Sequence, residues 1–437
     1  MSRSLAITLA SALLSAVVPV GHAQAVDAPA QAILTLDQAE AAAVARQPQL
    51  LAAQLRARAS SQRIRQAKSG LLPTVNFNAT GALAADTGTS TAAGNITTSA
   101  ISDRFAYGGN LTQLVTDFGR TSALVGSAKS QALAQSDLET LTKAQVRLNV
   151  REAYFGVLGA EAVLRAAQAA QANRHLISRQ LSALAQSELR STLDVNFANV
   201  MESEADLAVV RAQSIVAQDR SRLATAMGEQ KVVTAALAEP AKNADALPPA
   251  PDVLQVQAQT QRADLNAVQA QQQAAHEFAL AEKRLSYPTL TVLGAAGQIP
   301  YRDHTLHDSY AAAGFNLNIP VFNGNLFAAR RAEAELESTA RQRDVEQVQL
   351  QVNEQVRDAW YRANEAYRSL DVTARLVAQS KEALRLAQDR YEAGLGSIVE
   401  LNEAQLNETS AEISAADASY SYLSRRAELD FAAGLLN

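Results

Sequence analysis

The chain repeats itself, and this repeat constrains its fold more than any other feature of the sequence. Ser191-Thr-Leu-Asp-Val-Asn196 resembles Ser397-Ile-Val-Glu-Leu-Asn402, and the two stretches begin 206 positions apart. The same spacing relates Arg151-Glu-Ala-Tyr-Phe155 to Arg357-Asp-Ala-Trp-Tyr361. Matches at this or a closely similar spacing are Gly228 with Gly434, Asp117 with Asn323, Leu50 with Leu265 and Pro73 with Pro288. The sequence therefore predicts an internal duplication in which each half builds the same structural unit.

A short stretch of the second half predicts a hairpin of two long helices. Gly394 and Gly396 interrupt an alanine-rich helical pattern, because two glycines within three residues do not sustain a helical register. Ser397 is a good N-cap, and Glu400 completes a capping box three residues later. We therefore expect one helix to end near Tyr391 and the next to begin at Ser397.

The first half predicts equally long helices. Between Thr121 and Ser187 there is no proline, and apolar or small residues recur at every seventh position, as in a coiled coil. A helix of about 65 residues is about 100 Å long, which exceeds a compact globular domain. The pattern also predicts a returning helix and one opening helix per half, at Thr192–Met227, at Thr35–Gly70 with an interruption at Pro48, and at about Val253–Leu285.

Two pairs of strands are predicted, one pair in each half. Val75 and Phe77 alternate with Asn76 and Asn78, which gives a strand with one apolar and one polar side. The same alternation follows in the second half, where phenylalanine, leucine and isoleucine alternate with asparagine. The predicted strands are 74–80, about 105–115, about 288–295 and the stretch around 315–319, and residues 84–99 and 298–308 are predicted as loops.

Composition and targeting signals narrow the class of protein. Residues 1–25 have the charged start, the apolar stretch and the Ala23-Gln-Ala25 ending of a secretory signal peptide. The chain has no cysteine, which excludes disulfides and thiolate chemistry, and its net charge of −5 gives no support to nucleic-acid binding. We divide the remainder into a first repeat, a proline-rich connector and a second repeat, at residues 26–228, 229–252 and 253–437.

The amphipathic strands point to the outer membrane of a bacterium. Four strands do not close a barrel, and an open sheet edge is not tolerated in lipid, so several copies of the chain must pool their strands. A polar inner side and an apolar outer side are what a water-filled membrane barrel requires. The long helices then extend into the periplasm, with the turn at Gly394 as their far end.

At this point the chain resembles the TolC-like outer-membrane efflux proteins. The likeness covers nearly all of the mature chain and depends on an ordered set of motifs, which are Leu36-Asp-Gln-Ala39, Leu72-Pro73, Asp117-Phe-Gly-Arg120, Tyr287-Pro288, Phe322-Asn-Gly324 and Tyr391-Glu-Ala-Gly-Leu395. The resemblance implies a mainly α-helical fold with a small β part. It also implies a homotrimer whose twelve-stranded transmembrane β-barrel continues into an α-helical tunnel.

The resemblance further implies a function without catalysis or cofactors. Such proteins are passive exit ducts of tripartite efflux or type I secretion systems. They open when a periplasmic adaptor (membrane fusion) protein and an inner-membrane pump of the RND or ABC class dock at the helical tips. The cargo is a drug, a metal, another small molecule or a protein, and the pump selects it.

The resemblance also assigns a periplasmic gate at the tips. Tyr391 and Asp194 match a tyrosine and an aspartate that hydrogen-bond across the two tips and hold the entrance shut. The family's second latch is an arginine at the position that Gly396 occupies here, so Arg190 of the first tip is expected to replace it by pairing with Glu400 or Asp194. The alternatives are a tyrosine that ends one helix, an aspartate favoured by the helix dipole of another, and a solvated arginine.

Two further sets of residues are carried over from the family. Glu400 and Glu403 match an acidic ring in the lumen, where threefold symmetry would gather six carboxylates; the alternative is a capping residue and a solvated helix face. Gly394 and Leu395 match the tip that contacts the adaptor. The first-half tip contributes Leu189 in the equivalent place but lacks the glycine.

Other functions remain as alternatives to the exit duct. A secreted coiled-coil stalk or envelope spacer without a pore would explain the heptads and the signal peptide, but not the symmetric strands. His304-x-x-His307 lies in a predicted loop with no further histidine nearby and is interpreted as a polar loop rather than a metal site. An enzyme is the weakest interpretation, because no nucleophile, phosphate-loop or cofactor motif is present.

Overall fold

The structure is a computed structural model, and the chain it describes is mainly helical. The signal-peptide prediction at residues 1–25 lies outside the described residues. The description covers residues 33–437 except 84–88, 92–97, 101–103, 189–190, 241–246, 248–249 and 302–306.

The helices occur as two series that have nearly the same lengths in the same order. Those of the first half are α1 Leu36–Arg46, α2 Pro48–Ser69, α3 Arg120–Gln186 and α4 Thr192–Ala226. Those of the second half are α5 Asp252–Gln261, α6 Ala263–Lys283, α7 Leu326–Glu392 and α8 Ile398–Ala432. Both α3 and α7 have 67 residues, and both α4 and α8 have 35 residues. The two predicted hairpins of long helices are therefore present.

The strands form one four-stranded sheet and two small pairs. In chain order they are β1 Ile33–Leu34, β2 Thr74–Ala82, β3 Thr89–Thr91, β4 Thr98–Ala100, β5 Arg104–Thr116, β6 Ala236–Leu237, β7 Thr289–Tyr301 and β8 Ser309–Asn318. The sheet is antiparallel in the order β2-β5-β7-β8, so β2 and β8 form its two edges. β1 pairs with β6, and β3 pairs with β4.

Two predicted loops contain more strand than the sequence indicated. The stretch 84–99 was expected to be a loop, but β3 and β4 form a short antiparallel pair within and next to it. The second loop was expected to begin at Gln298, but β7 continues to Tyr301 because Gln298 pairs with Ser309 of β8. Polar residues such as these fit a strand when cross-strand pairing satisfies their backbone groups.

The helices pack side by side in one layer with α3 near its middle. Close to the sheet, α3 lies between α2 and α6, and α6 also contacts α7. Farther from the sheet, α4 and α8 lie on either side of α3, and α7 packs against α8. The helix order in this farther part is therefore α4-α3-α8-α7, so α4 and α7 form the two outer edges of the layer.

Each opening helix is broken at one residue, and only one of these breaks was predicted. Gln47 is extended (φ −64°, ψ 117°) and precedes Pro48, which the sequence analysis identified as an interruption. The single helix predicted at Val253–Leu285 is wrong, because Arg262 is also extended (φ −68°, ψ 121°) and separates α5 from α6. The Arg262 guanidinium is buried, and it donates to Asp264, to Gln355 Oε1 (2.7 Å) and to the Ala432 carbonyl (3.4 Å). These tertiary contacts, rather than a proline, hold the break.

The core around the middle of α3 fastens the connector to the helices. The buried Tyr154 hydroxyl lies 2.9 Å from the Leu34 carbonyl oxygen and 2.8 Å from that of Ala238. The hydroxyl thus binds the carbonyl of Leu34, the last residue of β1, and that of Ala238, the residue after β6. Arg220 adds two hydrogen bonds to connector carbonyls and an ion pair with Glu161 (2.7 Å). The connector is therefore bound to the first hairpin.

Candidate functional site

The four-stranded sheet has one apolar and one polar face. Residues paired across neighbouring strands share a face, which places Phe77, Leu111, Val292 and Phe315 on the same side. This side is open, with Phe77 72% and Phe315 76% exposed. The opposite side has a ladder of asparagines, in which Asn78 donates to Asn110 Oδ1 (3.0 Å). The alternation predicted from the sequence is thus present.

The tip of the second hairpin closes with a tight helix end. Gly394 adopts a left-handed conformation (φ 74°), and the Leu395 N–H donates to the Arg390 carbonyl (2.8 Å). The Gly394 N–H donates to the Tyr391 carbonyl (3.1 Å), which completes a Schellman motif. The next helix starts at Ser397, whose hydroxyl accepts from the Glu400 N–H (3.1 Å). Both helix boundaries agree with the prediction to within one residue.

Glu400 interacts differently from the sequence prediction. A capping box would return its carboxylate to the Ser397 N–H. Instead, Glu400 Oε1 lies 3.2 Å from Nε of Arg390, and the Arg390 guanidinium also donates to the Leu395 carbonyl (3.3 Å). The carboxylate of Glu400 is therefore held by an arginine of its own hairpin.

The tip of the first hairpin turns without glycine. Glu188 takes the left-handed conformation (φ 57°), and Ser191 caps α4 by accepting from the Leu193 N–H (3.1 Å). Asp194 lies in the first turn of α4, as predicted. Leu189 and Arg190 lie outside the described residues, so their predicted contacts with an adaptor and with the gate carboxylates stay predictions.

Tyr391 joins the two hairpins just above their tips. Its ring is buried in an apolar cluster with Leu181 of α3, Ala198 of α4, and Ile398 and Leu401 of α8. Ala198, which is four residues or one helical turn beyond Asp194, belongs to the same cluster, so both predicted gate residues lie in or next to one apolar cluster. The hydrogen bond between these two side chains stays a prediction.

The remaining predicted tip residues lie at the surface. Gly394 and Leu395 are exposed at the end of the hairpin. Glu403 is exposed one turn beyond Glu400. No group of histidine, aspartate and glutamate in the described ranges has a metal-binding arrangement, and His304 lies outside those ranges. No helix in the described part of the chain combines the length and the apolar character needed to cross a bilayer.

Comparison with known proteins decides the family. The sequence profile described as "Outer membrane efflux protein" matches residues 40–229 and 254–435. The chain belongs to this family. The TolC-like resemblance noted in the sequence is thereby confirmed, and the family is one of channels rather than of enzymes.

Two known proteins are similar in sequence to this efflux protein. Outer membrane protein TolC of Salmonella enteritidis is 24% identical over 351 residues, which are 75% of this chain and 68% of TolC. Cobalt-zinc-cadmium resistance protein CzcC of Cupriavidus metallidurans is 29% identical over 230 residues, which are 49% of this chain and 50% of CzcC.

A solved structure agrees with the fold of this efflux protein. CusC, crystallised in a study of transmembrane channel formation, superposes with a TM-score of 0.80 at 18% sequence identity. The superposition covers 91% of this chain and 92% of CusC. The likeness shows a shared fold, with long helical hairpins attached to a small sheet.

A buried polar layer next to the tip cluster of this efflux protein was not predicted from the sequence. Ser178 of α3 donates to Asn199 Oδ1 of α4 (2.9 Å). Gln405 of α8 is only 2% exposed, and neither polar atom of its amide has a partner among the described residues. Arg174, one turn along α3, is also buried, and burial lowers the pKa of its guanidinium, an effect that the nearby Glu204 partly offsets. Polar residues in a heptad pattern usually predict a solvated face, so this buried layer was not predictable from the pattern.

A second missed group is a charged cluster along α8. Glu412 forms an ion pair with Lys381 of α7 (2.7 Å). Burial raises the pKa of the neighbouring Glu408, and the negative charge of Glu412 raises it further, while Lys381 acts in the opposite direction. This efflux protein therefore has two unlike carboxylates on consecutive turns of α8. Glu412 is paired with Lys381, and Glu408 has a raised pKa.

Proposed function

We propose that the chain is the outer-membrane channel of a tripartite efflux or type I secretion system, and that it acts as a passive exit duct. The observation that carries the proposal is the sheet with an exposed apolar face, attached to two hairpins whose longer helices are about 100 Å each. The apolar face would contact lipid, and the asparagine-rich face would line water. Membership of the outer membrane efflux protein family supports both assignments.

A homotrimer would satisfy the open edges of the sheet. β2 and β8 each have one side without a described strand partner, and such edges are not tolerated in lipid. Joining β8 of one copy to β2 of the next would give twelve strands in a closed barrel for three copies. The resemblance to TolC-like proteins supports the number three.

The helical layer presents matching edges for the same assembly. On α4, the apolar residues Leu193, Val200 and Leu207 are exposed and lie seven positions apart. On α7, exposed apolar residues include Val372, Leu376 and Leu386. Because α4 and α7 are the opposite outer edges of one chain, α7 of one copy would pack on α4 of its neighbour as a coiled coil. The helices would then enclose a tunnel in the periplasm.

The tips would form a gate that partner proteins open. Tyr391 and Asp194 would hold the hairpins together in the resting channel, with a hydrogen bond worth about 1.5–3 kcal/mol. The exposed Gly394 and Leu395, together with Leu189 of the first tip, would contact the periplasmic adaptor. Docking of the adaptor and of an inner-membrane pump would separate the hairpins. The cargo would be selected by the pump.

The architecture would arise from duplication of one unit. The repeats at residues 26–228 and 253–437 would each contribute an opening helix, a strand pair and a hairpin, with residues 229–252 as the connector. The equal lengths of α3 and α7 and of α4 and α8 support this division.

Reconstitution tests the proposal. The purified protein should be a trimer in detergent, with a mass somewhat below three times 46.4 kDa once the signal peptide is removed, and should partition with the outer membrane. In planar lipid bilayers it should produce discrete conductance steps. A monomer that stays in the periplasmic fraction and gives no conductance would contradict the channel and favour a coiled-coil stalk instead.

A further inference from the structure

The tip of the second hairpin contains an ion pair that spans the turn within one chain. Arg390 lies in the last turn of α7, and Glu400 lies in the first turn of α8, with 3.2 Å between Nε and Oε1. The guanidinium is fixed from a second side, because Nη2 donates to the Leu395 carbonyl (3.3 Å). A carboxylate in the first turn of a helix is also stabilised by the helix dipole. The pair is therefore held by the local fold of the tip.

Gly396 provides the space for this pair. A Cβ added at Gly396 would lie 3.3 Å from Arg390 Cβ, 3.3 Å from Glu400 Oε2 and 3.3 Å from the Tyr391 nitrogen. Each of these distances is tighter than an ordinary van der Waals contact, and the crowded atoms include both partners of the pair. A side chain at Gly396 would therefore crowd both partners, so the glycine leaves room for the pair.

We propose that Arg390 sets the charge of the tunnel entrance by compensating Glu400 within its own hairpin. This inference depends on the proposed channel function, which places Glu400 and Glu403 at the entrance. Glu403 has no ion pair among the described residues, so it is the carboxylate whose charge acts on passing ions. In a trimer, three uncompensated carboxylates would then face the lumen instead of six.

The other charged groups near the tip leave this balance unchanged. Asp389 is already paired with Arg385 (2.8 Å) on the outer part of the same helix. Glu392 and Glu188 are exposed and add negative charge outside the turn. Among the described residues, Arg390 is therefore the cation that determines whether Glu400 contributes to the entrance field. Its pair is about half exposed, which makes it a determinant of charge rather than of stability.

The inference predicts opposite effects for the two members of the pair. Substituting Arg390→Gln releases three carboxylates in the trimer and should raise the preference for cations. Substituting Glu400→Gln leaves three arginines without partners and should lower that preference below the wild-type value. The double substitution should return it to near the wild-type value, because it removes both charges together.

Ion selectivity in planar bilayers measures these effects. The ratio of potassium to chloride permeability, from reversal potentials in a potassium chloride gradient, should rise about twofold or more for Arg390→Gln. The rise should shrink at high salt, where screening weakens the entrance field. Arg375→Gln is the matched control, since it removes a similarly exposed arginine of α7 whose partner, Asp371, lies about six turns from the tip.

The outcomes separate this inference from the proposed function. If the wild-type channel conducts and Arg390→Gln has the wild-type selectivity, the charge compensation is wrong while the channel function stands. If no protein conducts, the channel function itself is wrong. Arg390→Lys preserves the charge and should keep the wild-type selectivity; a shift as large as that of Arg390→Gln would indicate a change in tip shape and would overturn the inference. The trimer mass and the thermal stability of each variant are measured alongside.

Discussion

Gly434 lies directly against Arg262, so the end of α8 rests on the break between α5 and α6. A Cβ on Gly434 would be 3.1 Å from the Arg262 backbone nitrogen. The first half has the same arrangement, in which a Cβ on Gly228 would be 3.0 Å from the Cα of Gln47. Gln47 and Arg262 also both donate to carbonyls in the last turn of the returning helix. The end of each returning helix is thus held against the break between the two opening helices of its own half.

Substituting Gly434→Ala should destabilise the protein. Gly434 has a φ of 79°, which costs an L-residue about 1–2 kcal/mol, and the added Cβ would press on the backbone of Arg262. We expect a lower unfolding temperature, followed by helical circular dichroism. Gly156→Ala in α3 is the control, because nothing lies within 4 Å of its added Cβ; it should be neutral or stabilise by up to about 1 kcal/mol. Equal unfolding temperatures for the two variants would contradict the contact.

Two substitutions of Tyr391 separate the packing of its ring in the proposed gate from the proposed hydrogen bond of its hydroxyl. Tyr391→Ala removes the ring from the cluster with Leu181 and Ala198, at a local cost of about 3–5 kcal/mol, and should leave the channel open more of the time. Tyr391→Phe keeps the ring and removes only the hydroxyl, so a smaller increase in resting conductance is expected if Asp194 is its partner. Tyr361→Ala, at an exposed site on the same helix, should conduct like the wild type. Wild-type conductance in both Tyr391 variants would rule out this gate.

The outer edge of α4 should be needed for assembly. Val200 is 52% exposed in the single chain and would be buried against α7 of a neighbour. Val200→Asp places a charge in that seam and should convert most of the trimer to monomer, as measured by light scattering in detergent. Leu176→Asp is a suitable control, because Leu176 is similarly exposed (46%) but lies on α3 rather than on an outer edge. Trimers that survive Val200→Asp but not Leu176→Asp would place the interface elsewhere.

Glu408 predicts a pH-dependent effect of definite sign. Because burial and Glu412 raise the pKa of Glu408, the folded chain binds its proton more readily than the unfolded chain does. The free energy of unfolding therefore falls as pH rises from the ordinary value of 4.5 through the raised pKa. Glu408→Gln removes this cost and should stabilise the protein at pH 7, by less than about 1 kcal/mol because the site is partly exposed.

The gain from Glu408→Gln should disappear in acid. Well below pH 4.5 the wild-type carboxyl is protonated in both states, so wild type and variant should unfold at similar temperatures. Glu412→Gln should have the opposite sign at pH 7, because it removes the acceptor of Lys381. A gain from Glu408→Gln that is independent of pH would show that the charge is not its cause.

The hairpins were predictable because local signals define their ends. Gly394 and the Ser397 cap act within a few residues, so the sequence located both helix boundaries to within one residue. The break at Arg262 was missed because its extended backbone is held by Gln355 and Ala432, which are far away in sequence. Contacts of this kind exist only once the helices have packed.

The chemistry of the tip was only partly predictable for a similar reason. The sequence identified Glu400 and its cap, but it assigned the carboxylate to the capping box or to Arg190. Its pairing with Arg390 depends on the space left by Gly396 and on the course of the turn. Gln405 was missed because its burial depends on how the second hairpin lies against the first.

Because α3 and α7 are long, a small rotation of a hairpin moves its tip by several ångström. Each of these helices is about 100 Å long, and the part of α3 beyond the core at Tyr154 measures about 48 Å, so a tilt of about 5° at that core displaces the tip by roughly 4 Å. A small rotation that hardly disturbs the packing of the core would therefore move a tip by about a third of a helix diameter. Conversely, a weak force applied at the tip acts through the whole arm, which is why a few contacts around Tyr391 can set the position of an entire hairpin.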